Sequence, residues 1–563
     1  MSIINLNVDS CQNCYKCIRQ CPLKAIEFKD GKTKIIESEC VLCGVCVQIC
    51  PRNAKFLKCN TQKVKDLIKS DKPVYVSVAP SWMAWYNNTD FSKLSMALKK
   101  LGFTHVEETA IGAAHVTHEY ENLMQSGQMK NIIATSCASV VMLIERHFPQ
   151  LIKMLAPVSS PMMAHARLMR EAYGDIKVVF IGPCLSKFAE ADDPLAGGLV
   201  NEVLTFEDID NWMQDENVVL NDIDQNAVGV QNEIARLYPK QSGIIKTISS
   251  DCFTNYRPIA VDGIYRCMEL FNSIQNEDIS KIFVEANICA GSCIGGPIMR
   301  MHNKSIIGGN IITTGEVSPV DKVVAKSALA QFPHPRVFAN RESKMEKPTL
   351  AQINEILASI GKTTPEQELD CGSCGYATCR EKAVAVFQGK ADATMCLPFL
   401  RERAENMSTI VIEHSPNGII TLDENLLVTE INPKAELLFG VTRAEIIGEM
   451  IPALYGEESF SLAKQTNKNI VKNCDGANEH VKIELSVIYI QQRKIFVAFA
   501  KDISAQENDR NQLADLRLTT LGVAQEVINK QMRVAQEIAS LLGETTAETK
   551  VALTNLKKSI RDI

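Results

Sequence analysis

The sequence predicts a multidomain α/β protein, and three observations carry that prediction. The first 60 residues hold two copies of one four-cysteine pattern. From 72 to 332, short apolar runs alternate with amphipathic helical stretches, the pattern of α/β architecture with partly parallel sheet. From about Asn508 onward, apolar residues recur at multiples of three and four, as on one face of a helix.

The chain has 563 residues, more than one core needs, and about three to five domains are expected. Its 60 basic and 66 acidic residues leave a net charge of -6, which gives no reason to expect nucleic acid or an anionic membrane as a partner. The longest apolar run, Ile132 to Ile144, is broken by Thr135, Ser136, Cys137 and Ser139, so no membrane span is expected. The N-terminus lacks the basic and apolar regions of a secretory signal, and a cytoplasmic protein is expected. Of 20 cysteines, sixteen fall into four groups of four, and in a reducing cytosol such groups bind metal more often than they form disulfides. The other four, Cys59, Cys252, Cys267 and Cys474, read as buried inert thiols.

In chain order, Cys11-x-x-Cys14-x-x-Cys17-x-x-x-Cys21-Pro22 recurs as Cys40-x-x-Cys43-x-x-Cys46-x-x-x-Cys50-Pro51. Strands are expected at Val74–Val78, Asn131–Ala134, Val178–Ile181 and Ile282–Val284. Pro333, Pro335 and the charged stretch Arg341–Lys347 mark a linker. Cys371, Cys374, Cys379 and Cys396 form a further cluster. Val481, Ile483, Leu485, Val487 and Tyr489 alternate with mostly polar residues, as in a half-buried strand. Leu513, Leu516, Val523, Val527, Val534, Ile538 and Leu541 form a helical stripe. Gly543 can end that helix, and Thr545 with Glu548 can open another bearing Leu553, Leu556, Ile560 and Ile563. Such stripes are usually packing surfaces between helices or protomers.

Residues 1–60 resemble two-cluster ferredoxins, in which the fourth cysteine of each run ligates the other cluster. That resemblance implies one [4Fe–4S] cluster on Cys11, Cys14, Cys17 and Cys50 and another on Cys40, Cys43, Cys46 and Cys21. Two zinc sites are the alternative, but zinc motifs seldom carry this doubled pattern.

The remaining group of four is scattered: Cys137, Cys184, Cys289 and Cys293, each after a strand-like run. Alone they support a metal site only weakly. Their surroundings are Ala134-Thr135-Ser136-Cys137-Ala138, Gly182-Pro183-Cys184-Leu185-Ser186-Lys187-Phe188-Ala189-Glu190, and Glu285-Ala286-Asn287-Ile288-Cys289-Ala290-Gly291-Ser292-Cys293-Ile294-Gly295-Gly296. These resemble the three signature segments of [FeFe]-hydrogenases, and Val78-Ala79-Pro80-Ser81 is similar to that family's pocket-lining stretch. The resemblance, over roughly residues 1–335, implies an H-cluster. A [4Fe–4S] cube would be held by Cys137, Cys184, Cys289 and Cys293. Cys293 would bridge to a two-iron subsite carrying CO, cyanide and a dithiolate, and Lys187 would contact one cyanide.

The departures bear on function. Catalytic members usually carry two adjacent cysteines in the first segment, so Ser136 stands where the proton-delivering cysteine belongs. A thiol of pKa about 8.5 relays protons near neutrality and an alcohol does not. Losing such a carrier costs ~10²–10⁴-fold in rate. Gly182 and Asn287 stand where methionines are usual, and Val116 falls at the place of an acidic relay residue, while Glu190 keeps the second segment's acid. The whole pattern resembles the sensory [FeFe]-hydrogenases.

The cluster at 371–396 resembles a small [4Fe–4S] domain of redox proteins, with structural zinc as the alternative. Its place in the chain suggests that it passes electrons onward or acts as a redox-sensitive joint. Residues 401–508 resemble a PAS domain, through His414-Ser415-Pro416-Asn417-Gly418, Asp423, Ile431-Asn432-Pro433, Leu438-Phe439-Gly440, Ile447-Gly448 and Asp502-Ile503-Ser504. No PAS cofactor is expected.

The expected domains are thus a ferredoxin-like α+β domain at 1–60 and an α/β H-cluster domain at 72–335. A linker with a [4Fe–4S] domain follows at 336–400, then the α/β PAS domain at 401–508 and a helical or coiled-coil output segment at 509–563. The reading is a sensor of hydrogen or redox state with slow reversible hydrogen oxidation and proton reduction. Its expected partners are H2 and protons, an electron-transfer protein such as ferredoxin, a signalling kinase or phosphatase, and a second copy of itself. The rivals are a catalytic ferredoxin-linked hydrogenase with a regulatory PAS domain, and a non-catalytic iron–sulfur scaffold.

Overall fold

The computed structural model describes residues 2–87, 89–220, 233–277, 279–302, 304–312, 336–450, 457–478, 480–542 and 547–561. By its contacts the chain divides into Met1–Phe399 and Leu400–Ile563.

The cysteine duplication folds as two matching halves. Strand β1 (Ile4–Leu6) pairs antiparallel with β4 (Lys55–Leu57), and β2 (Ile26–Lys29) forms a hairpin with β3 (Lys32–Ile35). Asp30 and Gly31 at its tip both have positive φ, the two-residue turn whose twist suits a hairpin. The short helices Lys16–Gln20 and Val45–Gln48 each carry the third cysteine of their run.

The next domain holds two parallel sheets. One has the order β6 (His105–Glu108), β5 (Val74–Val78), β8 (Lys177–Ile181), β9 (Glu202–Leu204). The other has the order β10 (Arg257–Asp262), β11 (Ile282–Asn287), β7 (Ile132–Ile133). Strands covered on both faces are continuously apolar, and Val178 to Ile181 and Ile282 to Asn287 are buried throughout. The run read as the longest apolar stretch is strand β7 followed by the buried helix Ala138–His147. Among the described residues, no helix is long and apolar enough to cross a membrane.

Pro333 and Pro335 lie outside the described residues. The stretch after them is not a free spacer. Arg336 N donates to Pro157 O (3.3 Å), Ala339 N to Glu145 Oε1 (2.9 Å) and Arg341 N to Glu145 O (2.8 Å), and Phe338 packs on the apolar core around β11. The 371–396 module follows the helix Leu350–Ser359 and includes the helix Cys379–Phe387. It packs on the first ferredoxin half: Tyr376, Ala385, Ala391 and Met395 share a core with Ile18, Ile26 and Phe28. Phe28 N donates to Lys390 O (2.7 Å), and Lys390 Nζ pairs with the buried Glu39 (2.7 Å).

In the second unit a five-stranded antiparallel sheet has the order β13 (Val428–Ile431), β12 (Gly418–Leu422), β16 (Ile495–Asp502), β15 (Lys482–Ile490), β14 (Ile470–Asp475). Alternation along β15 buries Ile483, Leu485 and Val487 as expected. Asn432 ties the unit together. Its Oδ1 accepts from Ile419 N (2.7 Å) and Ala435 N (3.0 Å), and its Nδ2 donates to Ile412 O (2.8 Å) and Asn417 O (3.0 Å). His414 is exposed, with its Nδ1 3.1 Å from Ile410 O. Helices Ser504–Leu542 and Ala547–Arg561 follow, and Leu513, Leu516, Val523, Val527, Val534 and Ile538 are all exposed on the first. The proposed helix stop and cap at Gly543 and Thr545, and the side chains of Glu548, Ile560 and Ile563, lie outside the described residues.

Candidate active site and iron–sulfur centres

Parallel strands all deliver their C-terminal ends to the same edge, where sites form. Two sheets do so here. Strand β5 leads into Ala79, Pro80 and Ser81, and β8 into Gly182, Pro183 and Cys184. Strand β7 leads through Ala134 to Ser136 and Cys137, and β11 ends at Asn287 before Cys289. Cys293 follows in a short 3₁₀ turn, Ser292–Gly295. A Cβ on Gly295 would lie 2.0 Å from Ala290 O, so only glycine lets this turn close. A cavity of ≈ 100 Å³ lies at the meeting point. Ala79, Pro80, Ser81, Ser136, Cys137, Pro183, Cys184, Lys187, Asn287 and Cys293 line it. Gly182, Cys289 and Glu190 do not.

All twenty cysteines are free thiols. Among the described residues, no three His, Cys, Asp or Glu side chains close on a single ion. The thiols instead act on one another as charges. Burial pushes the Cys137 thiol up, and Cys184 adds to it. Burial also raises Cys289, with contributions from Cys184, Cys137 and Cys293, and it raises Cys293, which Lys187 partly offsets. Cys137, Cys289 and Cys293 thus resist ionising while Cys184 acts on each of them, a half-buried donor set in need of a cationic centre, and thiolates are the soft ligands that iron–sulfur clusters take. The residues therefore fit a [4Fe–4S] cube. Beside it, the Lys187 ammonium on the cavity wall fits an anionic ligand.

Lys187 Nζ donates to Ser136 O (3.2 Å) and pairs with Glu190 Oε2 (2.5 Å). The other Glu190 oxygen accepts from Arg336 Nη1 at 2.6 Å. Burial pushes this carboxyl up, but Lys187 and Arg336 outweigh it and hold it below the usual carboxylate range. Ser136 Oγ lies 3.2 Å from Tyr120 OH, which also accepts from Thr135 N (2.9 Å). Its contact is thus a buried phenol that burial makes a weaker acid, and Val116 is buried in the same helix as Tyr120.

The ferredoxin-type thiols group likewise. Burial raises Cys40 to about 11 and Cys43 to about 12, and Cys21 adds to both. Cys46 is raised by burial and by Cys40, Cys43 and Cys21. Cys17 is raised by burial, with smaller contributions from Cys14 and Cys11, while Cys50 Sγ accepts from Ala54 N (3.3 Å). Cys43 also acts on Cys289, so this site neighbours the hydrogenase-like one. In the 371–396 module, Cys374, Cys379 and Cys396 all act on the buried Lys382, and Cys371 is exposed.

The expected burial holds for Cys252 and Cys267 and fails for the other two. Cys59 is exposed at the start of a helix and Cys474 is half-buried on an edge strand, β14. Several residues at the site carry no local signal. Phe180 lines the cavity, and its ring lies 2.8 Å from where a Cβ on Gly182 would be, filling space beside that glycine. Tyr238 lines the cavity and its OH lies 2.8 Å from Thr117 Oγ1, which lies 2.9 Å from Thr247 Oγ1. Glu285 on β11 is buried, and burial pushes its carboxyl up to about 7. Its Oε2 accepts from Ile245 N (2.9 Å), while Oε1 has no hydrogen-bond partner among the described residues. Glu285 opens the third hydrogenase-like segment in the sequence, but its burial and raised carboxyl pKa carried no signal there.

Residues 72–297 match the family described as iron only hydrogenase large subunit, C-terminal domain. Residues 3–51 match a 4Fe-4S dicluster domain, residues 367–398 an Fe-S cluster domain, and residues 409–501 the PAS fold. The chain thus carries a domain that matches the iron-only hydrogenase large-subunit family, together with a ferredoxin-type domain and a PAS domain. Its N-terminal segment belongs to the ferredoxin family, being 31% identical over 58 residues (10% of this chain, 97% of the relative) to a ferredoxin of Methanothermococcus thermolithotrophicus. The chain is also 24% identical over 170 residues to the signal transduction histidine-protein kinase AtoS of Escherichia coli, covering 26% of this chain and about a quarter, 27%, of that protein. Among solved structures, an [FeFe]-hydrogenase from Chlamydomonas reinhardtii is 16% identical, covering 50% of this chain and 92% of that one, with a TM-score of 0.36. A PAS domain of an HTR-like protein from Haloarcula marismortui is 17% identical, covering 18% and 99%, with a TM-score of 0.16.

Proposed function

We propose that this protein senses hydrogen or redox state, through an H-cluster held by Cys137, Cys184, Cys289 and Cys293, and that it turns hydrogen over slowly. The observation that carries this reading is the pairing at Ser136. Its main-chain oxygen helps hold the site lysine, Lys187, while among the described residues its hydroxyl meets Tyr120 and no neutral-pH acid. The binding half of the site is kept and the fast proton exit is not. An H-cluster bound here would supply the redox centre at which hydrogen is split or formed.

The chain's own residues do the rest. Lys187, steadied by Glu190, offers a charge-assisted hydrogen bond to an anionic iron ligand. Ala79, Pro80, Phe180 and Met162 line the cavity with apolar surface and limit water. Glu285, raised to about 7, can hold or release a proton near neutrality, and this favours slow turnover over none. Clusters held at the two sites would exchange reducing equivalents, since Cys43 of the ferredoxin-type site lies near enough to Cys289 to act on it. The likeness to a signalling kinase and the PAS fold support a signalling output through a kinase or phosphatase partner, with the exposed helix Ser504–Leu542 as the surface for a second copy.

The test is turnover. Protein carrying a full set of clusters should oxidise hydrogen and reduce protons at least ~10²-fold more slowly than a hydrogenase with the proton-delivering thiol in place. Comparable rates would replace this reading with that of a catalytic hydrogenase.

A further inference from the structure

Lys24 departs from the internal repeat, and its neighbours explain why. With the cysteine runs offset by 29 residues, Cys21-Pro22-Leu23-Lys24 corresponds to Cys50-Pro51-Arg52-Asn53. Both Lys24 (φ 49) and Asn53 (φ 47) have left-handed backbone. Asparagine accepts that conformation readily, whereas a long side chain there carries strain that something must offset.

The offset lies in the 371–396 module. Lys24 Nζ donates to Ile18 O (3.3 Å), Arg19 O (3.2 Å) and, across 351 positions of chain, Gly375 O (2.7 Å). It stands 5.6 Å from the centre of the Tyr376 ring. Gly375 adjoins Cys374, and Lys24 N donates to Cys21 O (3.3 Å), so Lys24 links the chain beside one candidate ligand of each site. By the ferredoxin resemblance Cys21 completes the cluster on Cys40, Cys43 and Cys46.

We propose that Lys24 is the electrostatic bridge between two [4Fe–4S] clusters, the one that includes Cys21 and the one held by Cys371, Cys374, Cys379 and Cys396. The 371–396 module is then a branch of the ferredoxin wire. A cluster that takes one electron gains one negative charge, and a fixed ammonium beside it favours the reduced form. Lys24 does this for both clusters. When an electron crosses, one cluster is oxidised as the other is reduced, so the charge facing Lys24 is unchanged and the ammonium need not move. The bridge requires no two-iron subsite, so it stands or falls separately from the hydrogen reading.

The test uses the full chain reconstituted anaerobically with iron and sulfide. Lys24→Asn installs the residue that the second repeat carries in the same backbone conformation, and Lys24→Arg keeps the charge. Midpoint potentials are read cluster by cluster from EPR-monitored redox titrations, with Cys374→Ser and Cys40→Ser assigning the signals. The expected result in Lys24→Asn is a joint shift of these two clusters to more negative potential. The other clusters should stay in place, and Lys24→Arg should retain most of the native values. No shift, a shift of one cluster alone, or an equal shift of every cluster would overturn the bridge.

Discussion

Arg336 lies 2.6 Å from Glu190, on the carboxylate oxygen that Lys187 leaves free. One buried acid thus joins the site lysine to the segment that leaves the hydrogenase-like domain. Removing one partner of such a buried group costs ~3–5 kcal/mol. Arg336→Gln should therefore destabilise the first unit by about 3 kcal/mol in chemical denaturation. The depressed Glu190 pKa makes its contribution complete above the ordinary carboxylate range and lost as pH falls through the folded value. The variant should accordingly show a smaller loss of stability on acidification than the native chain.

Ser136→Cys places a thiol at the proton-delivering position, 3.2 Å from Tyr120 in the serine form. Turnover should rise by ~10²-fold, toward the gain expected of a positioned proton carrier. An unchanged rate in a hydrogen-evolution assay would move the bottleneck to Val116 and the path beyond it.

Glu285→Gln tests the buried carboxyl raised to about 7. A raised carboxyl pKa means the folded state binds more protons than the unfolded one between about pH 4.5 and 7. Native stability therefore falls as pH rises through that window. The glutamine variant should lose this dependence and be the more stable protein at pH 8, by ~3 kcal/mol at most. Its slow activity should also lose the limb of its pH profile near 7.

Leu516 and Val527 are 64% and 53% exposed on a 39-residue helix, a length that does not keep such a stripe in water without a partner. Leu516→Glu with Val527→Glu should convert a dimer to a monomer in sedimentation velocity while the PAS core stays folded.

The cysteine runs under the dicluster and Fe-S domain matches were legible because their spacing is local. Cys11 to Cys21 and Cys40 to Cys50 each carry their geometry within eleven residues. The loop positions of Cys137, Cys184 and Cys289 were legible because apolar runs buried on both faces announce parallel strands, whose ends then converge. Arg336 and Tyr238 were not legible, because their partners Glu190 and Thr117 lie more than a hundred residues away and neither has a motif of its own. The docking of the 371–396 module on the ferredoxin fold, through Lys24, Glu39 and Phe28, was not legible for the same reason. Cys59 and Cys474 show the limit of composition, since a thiol's burial depends on the element it joins.

The central claim is that hydrogen binds at a cluster held by the four thiols around Lys187. Infrared spectroscopy of the fully matured chain, under hydrogen and under argon, tests it most directly. The account predicts CO and cyanide bands that shift between the two gases, and a change in the cyanide bands in Lys187→Ala. Bands absent after maturation, or present and indifferent to hydrogen, would contradict it.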